Sequence, residues 1–204
     1  MIKVVCLGDS ITQGYPYGQE ASWVHILNTA FDFERDVNFI NAGINGHTTG
    51  DMLARFDSHV LDRQPQAVTI LGGTNDAWQG IPLVRTQENL TQMVARARKN
   101  RLLPVLGLIT PIVVEQVEEY FPGDDANRFA GHLTDIRNWI KKFALDQKIP
   151  LLDFFTPLCI ENTDQGNPKY FADGGHPNKE GYGLLAKSIY EDLKAVVERI
   201  KVQY

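Results

Sequence analysis

The amino-acid sequence predicts an α/β fold, a three-layer α/β/α sandwich in which helices cover both faces of a five-stranded parallel sheet. Short apolar runs, typical of strands buried on both faces, alternate with longer segments whose apolar residues recur at helical spacing. Right-handed crossovers between parallel strands restrict the topology to a doubly wound sheet or a barrel, and five units are too few for an eight-fold barrel. Because no linker interrupts the alternation, we expect residues 1–204 to form a single domain.

Each predicted strand is a short apolar run that ends in small or polar residues. The five runs are Ile2–Leu7, Val37–Ile40, Ala67–Leu71, Leu102–Ile109 and Leu151–Phe154. In open α/β sheets the ligand binds outside the carboxyl ends of the strands, so reactive residues are expected in the segments that follow them. Those segments begin at Gly8, Asn41, Gly72, Thr110 and Phe155.

The predicted helices carry apolar residues at intervals of three and four positions. They are marked by Trp23, Ile26, Leu27 and Ala30; by Leu53, Phe56 and Val60; by Leu90, Met93, Val94 and Ala97; by Phe129, Leu133, Ile136, Ile140 and Phe143; and by Leu185, Ile189, Leu193, Val196 and Ile200. Hydroxyl and amide side chains suited to capping a helix precede three of them: Ser22, Thr48 or Thr49, and Asn178. The two longest segments without a pattern are 110–128 and 156–177.

Composition and charge argue against several classes of protein. A formal net charge of −5 disfavours nucleic acid as a partner. The two cysteines, Cys6 and Cys159, are too few for a disulfide framework. The longest apolar run, Leu102–Ile109, is far too short to span a membrane. The first strand begins at Ile2 without a signal-peptide pattern, so we expect a cytoplasmic protein, although a mature form trimmed of its leader would look the same.

Ser10 is the serine best placed to act as a nucleophile. It follows the first predicted strand directly, whereas Ser58 and Ser188 fall within helical patterns and Ser22 is positioned to cap a helix. The preceding Gly8 permits a sharp exit from the strand, which can present the hydroxyl at the edge of the sheet. The alternative is that Ser10 only caps a turn, the commoner role for a lone serine.

His176 is the candidate base, which a serine hydroxyl needs in order to become a good nucleophile. Asp173 lies three residues earlier with two glycines between, so its carboxylate can fold back to the imidazole Nδ1–H and stabilise the cation formed during attack. The alternative is a polar turn ahead of the last helix. Of the other histidines, His47 also lies in a strand-end loop, and the rest fall in helical patterns: His25, His59 and His132.

Two further strand-end loops contain donors that could stabilise an oxyanion. In the segment 41–49, Gly46 offers a backbone N–H that no Cβ shields. In the segment 72–76, Asn75 offers a side-chain amide. Either loop alone could be structural, with its glycines forming turns and its polar side chains capping helices. The combination of nucleophile, base, acid and donors at one predicted edge indicates acyl transfer, and the absence of a Gly-x-Ser-x-Gly motif excludes the usual α/β-hydrolase arrangement.

These residues resemble the four sequence blocks of the SGNH (GDSL) hydrolase superfamily, in the same order. The blocks are Gly8-Asp9-Ser10, then Gly46 within Asn-Gly-His-Thr-Thr, then Gly73-Thr74-Asn75-Asp76, then Asp173-Gly-Gly-His176-Pro-Asn. The resemblance implies a flavodoxin-like strand order, 2-1-3-4-5, and no metal or organic cofactor. Members of the superfamily include esterases, lipases, lysophospholipases, thioesterases and carbohydrate O-acetylesterases.

The resemblance also implies a role for each matching residue. Ser10 would be the nucleophile, His176 the base and Asp173 its orienting partner. The oxyanion would be held by the Ser10 N–H, the Gly46 N–H and the Asn75 side chain. Gly43 is an alternative to Gly46, which we prefer because it precedes the His-Thr-Thr sequence. We assign the remaining motif residues, Asp9 and Asp76, to supporting hydrogen bonds rather than to chemistry.

The expected function is hydrolysis of a small ester or thioester with a short acyl group, because no long apolar flap is present. Residues expected at the substrate rim are Tyr15, Tyr17, His47, Trp78, Ile81, Tyr120, Phe121 and Tyr170. The acidic side chains between residues 115 and 125 either face solvent, which we favour, or face the pocket. In the second case they would disfavour polyanionic substrates. A homo-oligomer is neither indicated nor excluded.

Alternative activities include a carbohydrate O-acetylesterase and a thioesterase or lysophospholipase. An alternative of another class is a non-catalytic module that binds a small anion at its glycine-rich loops. The first loop contains Gly8, Gly14 and Gly18 but no Gly-Lys-Ser/Thr ending, so a phosphate cradle is poorly supported. A metal hydrolase is less favoured still, because neither His-x-His nor His-Glu-x-x-His occurs.

Overall fold

A computed structural model describes residues 1–30 and 37–203 of the chain. Its centre is a parallel sheet of five strands: β1 (Ile2–Gly8), β2 (Val37–Gly43), β3 (Ala67–Leu71), β4 (Leu103–Leu108) and β5 (Leu151–Asp153). The strands lie in the order β2-β1-β3-β4-β5, which confirms the predicted topology. All five residues of the central strand β3 are buried, as expected for a strand covered on both faces.

Ten α-helices occur within the described residues. They are α1 (Ser10–Gln13), α2 (Trp23–Ala30), α3 (Thr49–Ala54), α4 (Phe56–His59), α5 (Thr74–Gln79), α6 (Leu83–Lys99), α7 (Val114–Tyr120), α8 (Ala126–Asp146), α9 (Lys179–Ser188) and α10 (Tyr190–Gln203). One set of contacting helices comprises α2, α9 and α10, and a second comprises α3, α6 and α8. The two sets form the outer layers of the predicted three-layer sandwich.

Two predicted helices are each divided into two shorter ones. The helix expected through Leu53, Phe56 and Val60 breaks at Arg55, and the last helix breaks at Ile189. Both breaking residues have φ near −95° and ψ near 0°, which interrupts the helical geometry. The prediction of continuous helices was wrong because apolar spacing reports which residues face the core, not whether the backbone ladder is unbroken.

The segments predicted as loops contain more regular structure than expected. Strand β2 continues past Ile40 to Gly43, because the Asn41 side chain is bonded within the fold and donates to the Thr12 carbonyl at 2.7 Å. The predicted break at 110–128 contains α7 and the start of α8. The predicted caps Ser22, Thr48 and Asn178 each accept a backbone N–H at the start of a helix.

The carboxyl ends of the three strands nearest the predicted nucleophile lie side by side. Gly8, the last residue of β1, pairs with Gly43 at the end of β2 and with Leu71 at the end of β3. Because the strands are parallel, the segments that follow them leave the sheet at the same edge. This places the loops that contain the first three sequence blocks next to one another.

Candidate active site

Ser10 lies at the sharp turn between β1 and the short helix α1. A Cβ atom on Gly8 would collide with the Thr12 side chain and the Leu71 carbonyl, so the close packing at this turn requires glycine. The Asp9 carboxylate caps α1 by accepting the Ile11 N–H at 3.0 Å. The turn is therefore fixed by local bonds, and it presents a serine that is only 4% exposed.

The structure brings together the three residues predicted as nucleophile, base and orienting acid. The Ser10 Oγ lies 3.0 Å from His176 Nε2, although 166 positions separate the two residues in the chain. His176 Nδ1 lies 2.7 Å from Asp173 Oδ2. With the Nδ1 proton donated to the carboxylate, Nε2 is left as the acceptor for the serine hydroxyl.

Hydrogen bonds from its own loop hold the Asp173 carboxylate in place. Its Oδ1 accepts the backbone N–H of His176 at 2.8 Å and that of Gly175 at 3.0 Å. Burial alone would raise the pKa of Asp173, but the His176 ring and these two amides outweigh it and lower the pKa below its usual value. Asp173 is therefore ionised at neutral pH and can stabilise a positive charge on His176.

The three predicted oxyanion donors lie at the same edge of the sheet: Ser10 begins α1, Gly46 lies in the loop after β2, and Asn75 lies in the first turn of α5. The Asn75 amide donates one N–H to the His47 carbonyl at 2.9 Å, and Asn75 borders the same cavity as Ser10. Gly46 has φ of +79°, and the space that a Cβ would occupy is open. In the described ranges, neither the Ser10 nor the Gly46 backbone N–H donates to another protein group.

The Asp76 carboxylate ties the third block to the second, as the sequence predicts for a supporting residue. It is fully buried and accepts the Thr49 N–H at 2.8 Å, the Thr49 hydroxyl, and the Thr86 hydroxyl at 3.0 Å. These bonds connect α5 to the first residue of α3 and to α6. Asp76 thereby fixes the position of the helix turn that carries Asn75.

The Asp9 carboxylate is also buried, but it is only partly satisfied. Its Oδ1 accepts from Ile11, whereas Oδ2 has no hydrogen-bond partner in the described part of the chain. Burial raises the pKa of Asp9 to about 6, although the Ile11 N–H and the nearby His176 oppose this shift. A charged Asp9 is consequently costly to hold beside the nucleophile.

The cavity that opens beside Ser10 has a volume of about 270 Å³. It is lined by Ser10, Asn45, Thr74, Asn75, Trp78, Phe121, Phe129, Gly175 and His176. The Trp78 ring packs edge-on against Phe121 and Phe129, at centroid distances of 5.1 and 5.0 Å, which gives the cavity one aromatic wall. The sequence assigned Phe129 only to the core stripe of a helix, and Asn45 and Thr74 to no site role.

Of the eight rim residues expected from the sequence, Trp78 and Phe121 line this cavity. The other six do not: Tyr15, Tyr17, His47, Ile81, Tyr120 and Tyr170. The Tyr15 ring nevertheless lies against the His176 ring, with centroids 4.6 Å apart. The acidic side chains of the 115–125 segment are exposed and absent from the cavity wall: Glu115, Glu118, Glu119, Asp124 and Asp125.

Sequence reasoning missed one buried cation at this edge, Arg55. Its guanidinium donates to the carbonyls of Gly8 at 2.8 Å and Ala42 at 2.9 Å, and to the His47 ring at 3.1 Å. The one available signal was the spacing of Arg55 from His59, which lies one helical turn later and also contacts the guanidinium. From the sequence alone, an arginine beside an apolar helix stripe is expected to face solvent. Its burial is explained only by acceptors that come from the distant strands β1 and β2.

Residues 1–30 and 37–203 contain neither a candidate metal site nor a candidate membrane span. These residues contain no group of three or more His, Cys, Asp or Glu side chains arranged to hold a metal ion. None of the helices in the same ranges is both long and apolar enough to cross a membrane.

Comparison with known proteins identifies similar sequences over most of the chain. Residues 6–184 match the GDSL-like lipase/acylhydrolase family. The uncharacterised lipoprotein YqeF of Bacillus subtilis is 34% identical, over 87% of this chain and 76% of its own. An arylesterase of Vibrio mimicus is 29% identical, over 94% of this chain and 88% of its own.

Comparison of structures leads to the same family. A lipolytic-family G-D-S-L protein from Desulfitobacterium hafniense DCB-2 superimposes with a TM-score of 0.79 and 29% identity, over 94% of this chain and 99% of its own. The sequence match, which spans all four blocks, and the shared fold confirm the resemblance inferred from the sequence. The chain belongs to the GDSL-like lipase/acylhydrolase family and is a carboxylic ester hydrolase.

Proposed function

We propose that the chain hydrolyses small, short-acyl esters with Ser10 as nucleophile and His176 as general base. His176 Nε2 takes the hydroxyl proton while Ser10 Oγ forms a bond to the acyl carbon, and the carbonyl electrons move onto oxygen. His176 then gives this proton to the leaving alcohol or thiol as the bond to it breaks. Water, deprotonated by the same imidazole, then attacks the acyl carbon, and the imidazolium returns the proton to Ser10 Oγ as the bond between Oγ and the acyl carbon breaks and the acid is released.

The observation that carries this proposal is the continuous chain of hydrogen bonds that ends at the cavity. Ser10 bonds His176 at 3.0 Å, and His176 bonds a carboxylate at 2.7 Å. A hydroxyl within reach of a neutral imidazole, itself oriented by an acid, is the geometry that activates a weak nucleophile. Ser10 and His176 both line the cavity, so an acyl carbon bound there can reach both groups.

The negative charge that develops on the carbonyl oxygen would be held by three donors. They are the Ser10 and Gly46 backbone N–H groups and the Asn75 amide. This assignment is supported by the absence of other partners for the two backbone groups among described residues, and by the position of Asn75 on the cavity wall. Donors already in place need no reorganisation as charge forms, which makes this kind of stabilisation effective.

The dimensions of the cavity support a short acyl group. Its 270 Å³ lies just below the range of about 300–1,000 Å³ that is common for sites of drug-sized ligands. The aromatic wall of Trp78, Phe121 and Phe129 favours an apolar acyl chain over a charged one. We expect acetyl and butyryl esters to be hydrolysed faster than octanoyl esters.

Labelling with a fluorophosphonate tests the proposed nucleophile. An activated hydroxyl displaces fluoride and forms a stable P–O bond, so the expected product is one adduct on the tryptic peptide that contains Ser10. The variant Ser10→Ala should remain unlabelled, whereas Ser22→Ala, which changes a helix cap, should label at the wild-type rate. An adduct on any other serine, or equal labelling of Ser10→Ala, would contradict the proposal.

A substrate panel tests the finer assignments. Matched acetyl esters of phenol, a sugar and glycerol, together with acyl-CoA thioesters, would separate an arylesterase from a carbohydrate O-acetylesterase and from a thioesterase or lysophospholipase. The cytoplasmic location, the single domain and the oligomeric state stay predictions, which cell fractionation, limited proteolysis and size-exclusion chromatography with light scattering would address.

A further inference from the structure

We propose that Arg55 is a positioning residue for ester hydrolysis, because its buried guanidinium binds the segments that carry the oxyanion donors. The proposal rests on the proposed function, since it takes the Ser10 and Gly46 amides and the Asn75 side chain as those donors. Arg55 itself does not line the cavity, so it would act through these groups and not by contact with substrate.

Two backbone carbonyls at the ends of neighbouring strands accept hydrogen bonds from Arg55. Nη2 donates to the Gly8 carbonyl at 2.8 Å, two residues before Ser10. Nη1 donates to the Ala42 carbonyl at 2.9 Å, four residues before Gly46. One planar guanidinium thus fixes the distance between the exit of β1 and the exit of β2.

The third bond of Arg55 reaches the remaining donor through His47. Nε donates to His47 Nδ1 at 3.1 Å, and the His47 carbonyl accepts the Asn75 amide at 2.9 Å. Because His47 follows Gly46 directly, fixing this residue constrains both the Gly46 N–H and the amide of Asn75. The three donors are therefore linked through a single side chain.

This role explains why a cation is buried at this position. Arg55 is only 8% exposed, and in the described ranges its guanidinium has no carboxylate within ion-pair distance. Burying a charge is costly, and an apolar side chain could fill the same space at lower cost. Only a guanidinium offers a rigid fork of donors that can reach three acceptors in fixed directions.

The protonation state of His47 fits the same arrangement. To accept from Arg55, its Nδ1 must carry no proton, so the ring is neutral. Burial and the neighbouring charge of Arg55 lower the pKa of His47, against the opposing effect of Asp51. His59 Nδ1 lies 3.2 Å from Arg55 Nη1, the nitrogen that also donates to Ala42. The bond from Arg55 to His47 is thus maintained at neutral pH.

The test compares Arg55→Ala and Arg55→Lys with a matched variant, Arg137→Ala. Arg137 is similarly buried, at 6% exposed, and donates to the Thr110 carbonyl at 3.2 Å, but it contacts none of the donor segments. All are measured on p-nitrophenyl acetate, with kcat expressed per folded enzyme from circular dichroism. Losing transition-state donors lowers kcat with little change in KM, unlike losing a substrate contact.

We expect kcat to fall about 10²-fold in Arg55→Ala and about 10-fold in Arg55→Lys, with KM changed by less than about 3-fold. Added guanidinium chloride, at concentrations too low to unfold the protein, should restore part of the activity of Arg55→Ala but none of that of Ser10→Ala. Arg137→Ala should keep kcat within about 2-fold of wild type. If Arg55→Ala does not fold, Arg55→Lys alone decides the question.

The proposal is overturned if a folded Arg55 variant keeps the wild-type kcat, if Arg137→Ala loses as much, or if the loss appears only in KM. Ser10→Ala separates this failure from that of the proposed function. An inactive Ser10→Ala beside fully active Arg55 variants would remove the role of Arg55 alone. An active Ser10→Ala would remove the proposed mechanism itself.

Discussion

Two of the cavities at the carboxyl edge of the sheet differ in their polar groups, and the larger of these two lacks the imidazole that lines the smaller. The cavity beside Ser10 measures about 270 Å³, whereas the one along the segment after β5 measures about 820 Å³. The larger cavity is bordered by a nucleophile of its own, the Cys159 thiol. Both cavities therefore combine space with a nucleophilic atom at an edge where ligands commonly bind.

The partners of the two nucleophiles differ. Ser10 Oγ faces an imidazole nitrogen that can take up its proton as a base. Cys159 Sγ instead donates a hydrogen bond at 3.3 Å to the Phe155 carbonyl, which is too weak a base to remove the proton. Burial also raises the pKa of Cys159 to about 11, so the thiol stays protonated at neutral pH. We therefore expect reactivity to depend on the group that receives the proton, and not on the volume of the cavity or its place on the sheet.

The largest expected effect separates the two nucleophiles directly. Ser10→Ala should lower kcat by at least about 10⁴-fold, because the other residues of an acyl-transfer unit contribute little without the nucleophile. Cys159→Ala should stay within about 2-fold of wild type. The measurement is hydrolysis of p-nitrophenyl acetate, and a Cys159→Ala variant that loses most of its activity would reverse the comparison.

The next effect concerns the amides near each cavity. Asn75→Ala should lower kcat by roughly 10²–10³-fold, the usual loss for one oxyanion donor, with KM almost unchanged. Asn167, which lines the larger cavity, is the matched control, and Asn167→Ala should retain kcat within about 2-fold. Steady-state kinetics on one ester suffices, and equal losses in the two variants would argue against an oxyanion role for Asn75.

The buried Asp9 and the exposed Asp164 give a contrast in stability. Burial raises the pKa of folded Asp9 from 3.8 to about 6, so the folded state favours the protonated carboxyl. The stability that a protonated Asp9 allows is fully present below pH 3.8 and is lost as the pH rises through about 6, where the buried carboxyl must ionise at a cost. Asp9→Asn removes this cost, so the free energy of unfolding at pH 7 should rise by up to about 3 kcal/mol. The gain should vanish near pH 4.

Urea unfolding of the two variants at pH 7 and pH 4 checks this expectation. Asp164→Asn, at an exposed position on the larger cavity, should change stability by less than about 0.5 kcal/mol at either pH. If Asp9→Asn were stabilised equally at both pH values, the stabilisation would not come from removing the charge of Asp9.

The smallest expected effect tests the aromatic wall. Phe121→Ala enlarges the cavity beside Ser10, so the ratio of kcat/KM for the octanoyl over the acetyl p-nitrophenyl ester should rise about 10-fold. Ile160→Ala, in the wall of the larger cavity, should leave this ratio unchanged. An unaltered ratio in Phe121→Ala would place the acyl chain elsewhere.

Local sequence signals predicted the fold well because most of its determinants are local. Apolar runs such as Ala67–Leu71 and the cap at Asn178 each specify their own element, and right-handed crossovers then restrict the topology. The breaks at Arg55 and Ile189 were missed, because the apolar stripe continues across each break while the backbone does not.

The proximity of the candidate nucleophile, base and acid was predictable, but the surroundings of the site were less so. Ser10, directly after β1, and Asp173 and His176, in the loop before α9, stand in distinctive local patterns, which allowed us to expect them together. Arg55 lies at the break between two helices and Phe129 lies in a helical stripe, and their contacts depend on how these helices pack against the rest of the fold. The rim was the least predictable part, since it depends on the path of long loops.

The central claim, that Ser10 is activated by His176, is tested most directly by a double-mutant cycle. Single variants Ser10→Ala and His176→Ala and the double variant are compared by kcat on p-nitrophenyl acetate. Because two residues that act as one unit have non-additive effects, we predict that the double variant is no slower than either single one. Losses that multiply in the double variant would contradict the account, since Ser10 and His176 would then contribute independently.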